Sequence, residues 1–264
     1  MNVAPDISLV VPAYNSAPFI LSTVERALTF FETSGLRGEV VVSDDGSTDG
    51  TSAHVPADPR VKVIRAPHNR GKGAALKRGM LRAQGKVHVF TDADLPYGTE
   101  PILRAYHYIV SHRFHAVIGD RTLPGSDYGH AGLVRGTVSA VASFAFRTLV
   151  TGGIYDTQCG FKAFRGDVSR ALFPLTRVDG FAVDVEVIYL LLKYRLDVKC
   201  VPVRLERNAP STVRVGRDSA LAMRDVVAMR VRWATGRYDT RLLRDILERD
   251  LAEDSANASL SLEG

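Results

Sequence analysis

The chain holds only two cysteines, Cys159 and Cys200, in 264 residues. Two cysteines so far apart build no disulfide framework and match no zinc-ligand spacing, which points to a reducing compartment. No uncharged apolar run reaches the roughly 18 residues that a membrane-spanning helix needs. The nearest stretch, 136–155, is broken by Arg147 and holds several Gly, Ser and Thr. No charged segment with an apolar core precedes the first strand pattern at Ile7, so no secretory signal is expected. Internal repeats are missing, as is the G-x-x-x-x-G-K-[ST] spacing of a P-loop. Aromatic residues do not interleave with the basic ones in a stacking pattern, so no nucleic-acid partner is expected. The seven histidines are scattered, and none falls in an acidic strand-end motif, which argues against histidine catalysis.

What is present suits one sizeable α/β core: 45% of residues are hydrophobic and 24% charged. The net charge of +5 is uneven. Residues 193–237 carry eleven Lys/Arg and four Asp/Glu, a net +7, which leaves −2 for the remainder. A basic C-terminal third suits phosphate-bearing partners or an anionic surface, or else is a solvated helix face.

Along the chain, short apolar β-branched runs alternate with helical periodicity. Strands are predicted at 7–12, 39–47, 61–66, 86–92, 114–121 and 198–206, and helices at 18–34, 71–85, 131–150, 181–196 and 217–235. The run 156–164 reads as a short, glycine-broken strand or loop. Alternation of this kind predicts parallel βαβ units in a doubly wound sheet. The polar end, from Glu248, is expected to fray or to be disordered.

Ligands of a parallel α/β sheet bind beyond the carboxyl ends of its strands. Three predicted strands end there in polar residues: Pro12-Ala13-Tyr14-Asn15, Asp44-Asp45-Gly46-Ser47 and Asp92-Ala93-Asp94. Adjacent carboxylates repel one another unless a cation joins them. Hard Mg²⁺ or Mn²⁺ carrying a diphosphate suits such a pair, since it takes a few carboxylate oxygens and completes its shell with phosphate and water. The plainer alternative is a capping Asp beside a solvated one. Asp44 and Asp45 can accept hydrogen bonds from a base and a ribose, or form an Asx-turn. His68-Asn69-Arg70-Gly71-Lys72-Gly73 brings cations and a close backbone approach to an anion, or is a solvated loop.

Together VPAYN (11–15), SDDGSTDGT (43–51), NRGKGAALKRGM (69–80), FTDAD (90–94) and DTQCGFK (156–162) resemble the family 2 glycosyltransferases of the GT-A fold. The resemblance runs from Ile7 to about Tyr238. Within the family it is nearest the polyprenyl-phosphate sugar synthases, dolichyl-phosphate glucosyltransferases and mannose synthases among them. It implies a Rossmann-like, mostly parallel sheet flanked by helices, with C-terminal helices on the acceptor side. Residues 1–240 would form one domain, with a nucleotide-sugar half to about 121 and an acceptor half from about 122; residues 241–264 would be a polar helix and tail, partly disordered.

The implied activity is inverting transfer of a hexose, from UDP-glucose or GDP-mannose, to a polyprenyl phosphate at the cytoplasmic face of a membrane, with peripheral attachment. Pro12, Ala13, Tyr14, Asp44, Asp45, Gly71, Lys72, Asp92, Ala93 and Asp94 would bind the donor, and Asp92 and Asp94 the metal. Arg121 and Arg135 would neutralise phosphates. Gln158, Lys162, Arg204, Arg207 and Ser211 would lie on the acceptor side. A hydroxyl acceptor would need a base instead, and Asp184 is the candidate, unless it caps its helix. Asp184 and Glu186 are two apart, so at most one of them can face the cleft.

Two departures stand out. Ser16 replaces the family's usual Glu after PAYN, and Ala209-Pro210-Ser211-Thr212 replaces a late Gly-Ser-Lys. Both bear on the acceptor. A nucleotide-sugar-forming nucleotidyltransferase is the rival of another class, but its glycine-rich N-terminal loop is missing. A relative that binds without catalysing conflicts with the intact Asp-x-Asp.

Overall fold

The computed structural model describes residues 4–126, 156–206 and 215–262. The predicted helix over 131–150, and Arg135, Arg207 and Ser211, lie outside these. Seven strands form one sheet in the order β3-β2-β1-β4-β6-β5-β7. They are β1 (Ile7–Ala13), β2 (Gly38–Asp44), β3 (Val61–Arg65), β4 (Val87–Thr91), β5 (Ala116–Asp120), β6 (Phe161–Arg165) and β7 (Val198–Pro202). All pairings are parallel except those of β6, which runs antiparallel to both β4 and β5. The reading of 156–164 as a broken strand or loop is therefore refined. The loop ends at Gly160, and a regular antiparallel strand follows.

Strand residues alternate faces, and each face meets helices. Ile7, Leu9 and Val11 of β1 and Val87 and Val89 of β4 pack with α1 (Ala17–Ser34) and α3 (Glu100–Val110). Val10, Phe90, Ile118 and Phe164 face the other way. There they meet α2 (Lys72–Met80), α4 (Gly166–Leu172) and α5 (Val183–Lys193). The basic helix α6 (Val215–Ala234) joins the same side. Helix α7 (Arg241–Leu262) ends the chain. Ion pairs Arg249–Asp167, Arg165–Asp250 and Arg113–Glu253 tie this polar helix to the body.

The topology places the carboxyl ends of β1, β2, β4 and β5 on one edge. Because β6 runs backwards, its first residue sits there too, with Phe161 opposite Thr91. The Gly160 backbone thus lies against Asp92. A Cβ built on Gly160 would fall 1.8 Å from Asp92 Oδ2, so a larger residue here would push the Asp92 carboxylate aside.

Candidate active site

The acidic end of β2 holds the loops together. Asp44 is fully buried. It accepts hydrogen bonds from the Ser47 N–H and the Ser52 hydroxyl, with Arg65 3.8 Å away. Burial pushes its pKa up, but these bonds outweigh burial and hold it below the usual carboxylate range. Asp45 accepts from the N–H groups of Arg70 (2.8 Å) and Gly71 (2.6 Å) and from the Arg78 guanidinium. The carboxylate predicted to touch the donor therefore also shapes the predicted donor loop. Gly71 itself has φ +116°, and the Asp179 carbonyl accepts from Gly73 N–H and Ala74 N–H at the start of α2.

After β1, Pro12 and Ala13 complete the strand and Tyr14 is about half exposed at the edge. Ser16, where the family carries Glu, is buried and its hydroxyl donates to the Tyr14 carbonyl. The start of α1 is satisfied instead by Asp49, which accepts from the Ala17 N–H. After β4, the Ala93 carbonyl accepts from the Thr23 hydroxyl, which pins the Asp92-Ala93-Asp94 turn to α1. Asp92 and Asp94 are both partly exposed on that turn.

Four charges line up behind it. Lys72 Nζ lies 2.8 Å from Asp92 Oδ1 and 3.2 Å from Asp184 Oδ2. Lys162 Nζ lies 2.5 Å from Asp184 Oδ1, donates to the Cys159 carbonyl and rests 5.3 Å from the Phe90 ring centre. Burial works against the Lys72 ammonium, yet Asp184 and Asp92 raise its pKa well above the ordinary lysine value. Burial likewise opposes the Asp184 charge, and Lys162 and Lys72 reverse that and lower its pKa. Asp184 lies inside the first turn of α5, whose N-cap position is Ala182, and each of its oxygens meets an ammonium group. Glu186 faces away from it, accepting from the N–H groups of Arg177 and Val178 and from Tyr238, as the two-residue spacing requires.

Of the other predicted residues, Arg121 follows β5 with its guanidinium forked onto Asp156, Nε and Nη2 lying 2.5 and 2.7 Å from its oxygens. Gln158 and Arg204 are exposed. Lys162 is fully buried and reaches the cleft only through Asp184. Sequence reading missed Asp49, Asp156 and Asp179. Asp49 stood inside the quoted DDGSTDGT run and Asp156 at the head of the quoted DTQCGFK, whereas Asp179 carries no local signal.

Among the described residues no three His, Cys, Asp or Glu side chains form a closed metal cage. Asp92 and Asp94 are two hard oxygen donors at an open edge, and a Lys72 ammonium already sits against Asp92. That donor set fits a cation that draws its remaining ligands from phosphate and water. A cavity of about 600 Å³ at the opposite end of the sheet is lined by Arg113, Arg165, Arg249, Asp167 and Asp250, which pair with one another or with Glu253.

Residues 8–173 match the model of the glycosyl transferase family 2. A dolichyl-phosphate beta-glucosyltransferase of Dictyostelium discoideum is 30% identical, with 87% of this chain aligned to 75% of that protein. Its Saccharomyces cerevisiae namesake is 28% identical, over 88% of this chain and 76% of its own length. Among solved structures, glucosyl-3-phosphoglycerate synthase from Mycobacterium tuberculosis with Mn2+ and UDP superposes with TM-score 0.65 at 22% identity, covering 85% of this chain and 80% of that one. Mannosyl-3-phosphoglycerate synthase from Rubrobacter xylanophilus gives 0.66 at 20% identity, covering 90% and 77%. These two likenesses are of fold, the GT-A arrangement of mostly parallel sheet and flanking helices. With its acidic strand ends gathered on one edge of that sheet and its sequence matching the family model over most of its length, the chain belongs to glycosyl transferase family 2.

Proposed function

We propose that the protein is an inverting hexosyltransferase that moves glucose from UDP-glucose to a polyprenyl phosphate of the dolichyl type, using a divalent cation held by Asp92 and Asp94. The observation that carries this reading is the Asp184 carboxylate, buried between Lys162 and Lys72 and lowered in pKa. A hydroxyl acceptor must lose a proton, and a carboxylate locked by two ammonium groups is a poor base for it. A phosphate monoester needs none, because its second pKa is about 6. The names of the relatives, dolichyl-phosphate beta-glucosyltransferases, support a glucosyl group and a dolichyl-phosphate acceptor.

A phosphate oxygen of the acceptor attacks the anomeric carbon as the bond from that carbon to the diphosphate breaks. One displacement inverts the centre. The cation, when bound, supplies positive charge for the leaving diphosphate. The chain's own residues position and neutralise. Asp45 fixes the 70–71 backbone, Asp44 and Tyr14 edge the nucleoside site, and Asp156 fixes the plane of the Arg121 guanidinium where β5 ends. The donor half is read as residues 1–121 and the acceptor half as 122–240, with peripheral attachment to the cytoplasmic face of a membrane.

The test is transfer of label from UDP-[14C]glucose to a short polyprenyl phosphate with Mn²⁺ or Mg²⁺, followed by organic extraction. Lipid-phase label that Asp94→Ala abolishes is expected. GDP-mannose labelling in place of UDP-glucose would change the donor. UDP binding without any lipid label, but with label on a soluble hydroxyl compound, would overturn the acceptor.

A further inference from the structure

Two lysines and two aspartates, alternating, form an unbroken chain from the core to the cleft: Lys162, Asp184, Lys72, Asp92. The inner members are sealed. Lys162 is 0% and Asp184 2% exposed, and the Asp92 side chain at the outer end is 39% exposed. Two ammonium groups balance two carboxylates, so the chain is neutral as it stands. Buried charges are tolerated only when paired, and removing one partner strands the other. Yet Asp92 stands on the edge where a cation is expected, with its Oδ1 taken by Lys72.

The geometry points to Lys72 as a placeholder for the divalent cation, with Asp184 as the positioning residue that makes the exchange possible. Asp92 trades its ammonium partner for the cation. Lys72 loses one carboxylate but keeps Asp184, 3.2 Å away, so no lysine is left unpaired in a dry site. Lys162 in turn holds Asp184 in place from below. The exchange also changes the local charge. Once Asp92 belongs to the cation, Lys162, Lys72 and Asp184 together carry a net positive charge, at the wall that faces the incoming diphosphate. With Asp94 counted as well, the site goes from net −1 when empty to net +1 when loaded, which couples cation binding to diphosphate binding. This inference rests on the proposed use of a cation at Asp92 and Asp94, but not on the identity of the acceptor.

The test titrates the whole protein with Mn²⁺ alone, following free Mn²⁺ by electron paramagnetic resonance, and then adds UDP at saturating Mn²⁺. A placeholder competes with the cation. Lys72→Met is expected to bind Mn²⁺ more tightly, by about tenfold, since the lost contact is a charge-assisted hydrogen bond. The same variant is expected to bind UDP more weakly by a similar factor, because the net positive wall is gone. Asp184→Asn is expected to shift Mn²⁺ affinity the opposite way, because Lys72 then has only Asp92. A merely structural role for the chain would lower or leave unchanged the Mn²⁺ affinity of both variants. Unaltered or weaker Mn²⁺ binding by Lys72→Met overturns the inference. That variant keeps the buried Lys162–Asp184 pair, so it decides the matter even if Asp184→Asn fails to fold. Mn²⁺ shifts as expected, with no sugar reaching polyprenyl phosphate, would sink the acceptor reading and leave this one standing.

Discussion

Gly71 joins the 68–71 loop to α2 in a conformation that disfavours other residues. Its φ is +116°, and an ideal Cβ would lie 2.4 Å from the Asp179 carbonyl oxygen. Gly180, on the other side of the same contact, has open space around its Cβ position and no positive φ. Gly71→Ala is expected to destabilise by about 1–3 kcal/mol, whereas Gly180→Ala stays within about 0.5 kcal/mol; urea unfolding midpoints compare them. Equal effects would mean that the loop relaxes freely. At this scale the carboxylates of β2 and β4 were legible in the sequence, because a strand running into Asp-Asp or Asp-x-Asp is a local pattern. The partners that decide what those carboxylates do were not. Asp179 pairs with Arg70 from 109 residues away and Asp156 with Arg121 from 35, and the role of Asp184 depends on lysines in two other elements. A lone Asp before a buried helix looks the same whether it caps, acts as a base or balances a lysine.

Among the elements, β4 and the turn just before β5 carry buried histidines that make their packing sensitive to acid. His88 of β4 is fully buried against Ser169 of α4, its Nδ1 2.9 Å from the hydroxyl. Burial, helped by Arg170, pushes its pKa down to about 4. His115, just before β5, accepts the Asp197 N–H at Nδ1, so its proton sits on Nε2 and is donated to Asp250 of α7. Burial lowers its pKa as well. A depressed histidine pKa means that the unfolded chain takes up the proton first. The contribution is complete above about pH 6.5 and is lost as the pH falls toward 4, at most about 3 kcal/mol for His88. Stability measured by urea unfolding from pH 7.5 to 4.5 should fall, and His88→Leu should flatten that fall. An unchanged slope in the variant would show that His88 is not its source. Strand and helix positions were largely legible from apolar periodicity. The reversed direction of β6 was not, because direction is set by distant pairing and a buried Lys162 interrupts the apolar run. Nor were the ion pairs that hold the expected polar helix α7 to three other segments.

Across the whole molecule, charge and apolar exposure coincide on the C-terminal helices. Helix α6 has one packed face and one exposed face. Val226 and Met229 are buried, and Trp233 packs edge-on against Tyr194 with ring centres 5.4 Å apart. On the other side Val227 and Val231, one turn apart, are 57% and 56% exposed, with exposed Arg224 and Arg230 on the same helix. Among the described residues no helix is long and apolar enough to cross a membrane. A helix with this outer face suits the headgroup region of an anionic bilayer, where each basic residue contributes about 1 kcal/mol and salt screens the attraction. The protein is expected to float with vesicles containing phosphatidylglycerol, less so at high salt, and not with phosphatidylcholine alone. Val227→Asp with Val231→Asp should weaken flotation without lowering the melting temperature, because neither side chain is in the core. Flotation untouched by the double substitution would move the contact to another surface. No flotation under any lipid composition would leave the outer face of α6 as ordinary solvated helix, and the proposed lipid acceptor would then have to be met through the cleft alone.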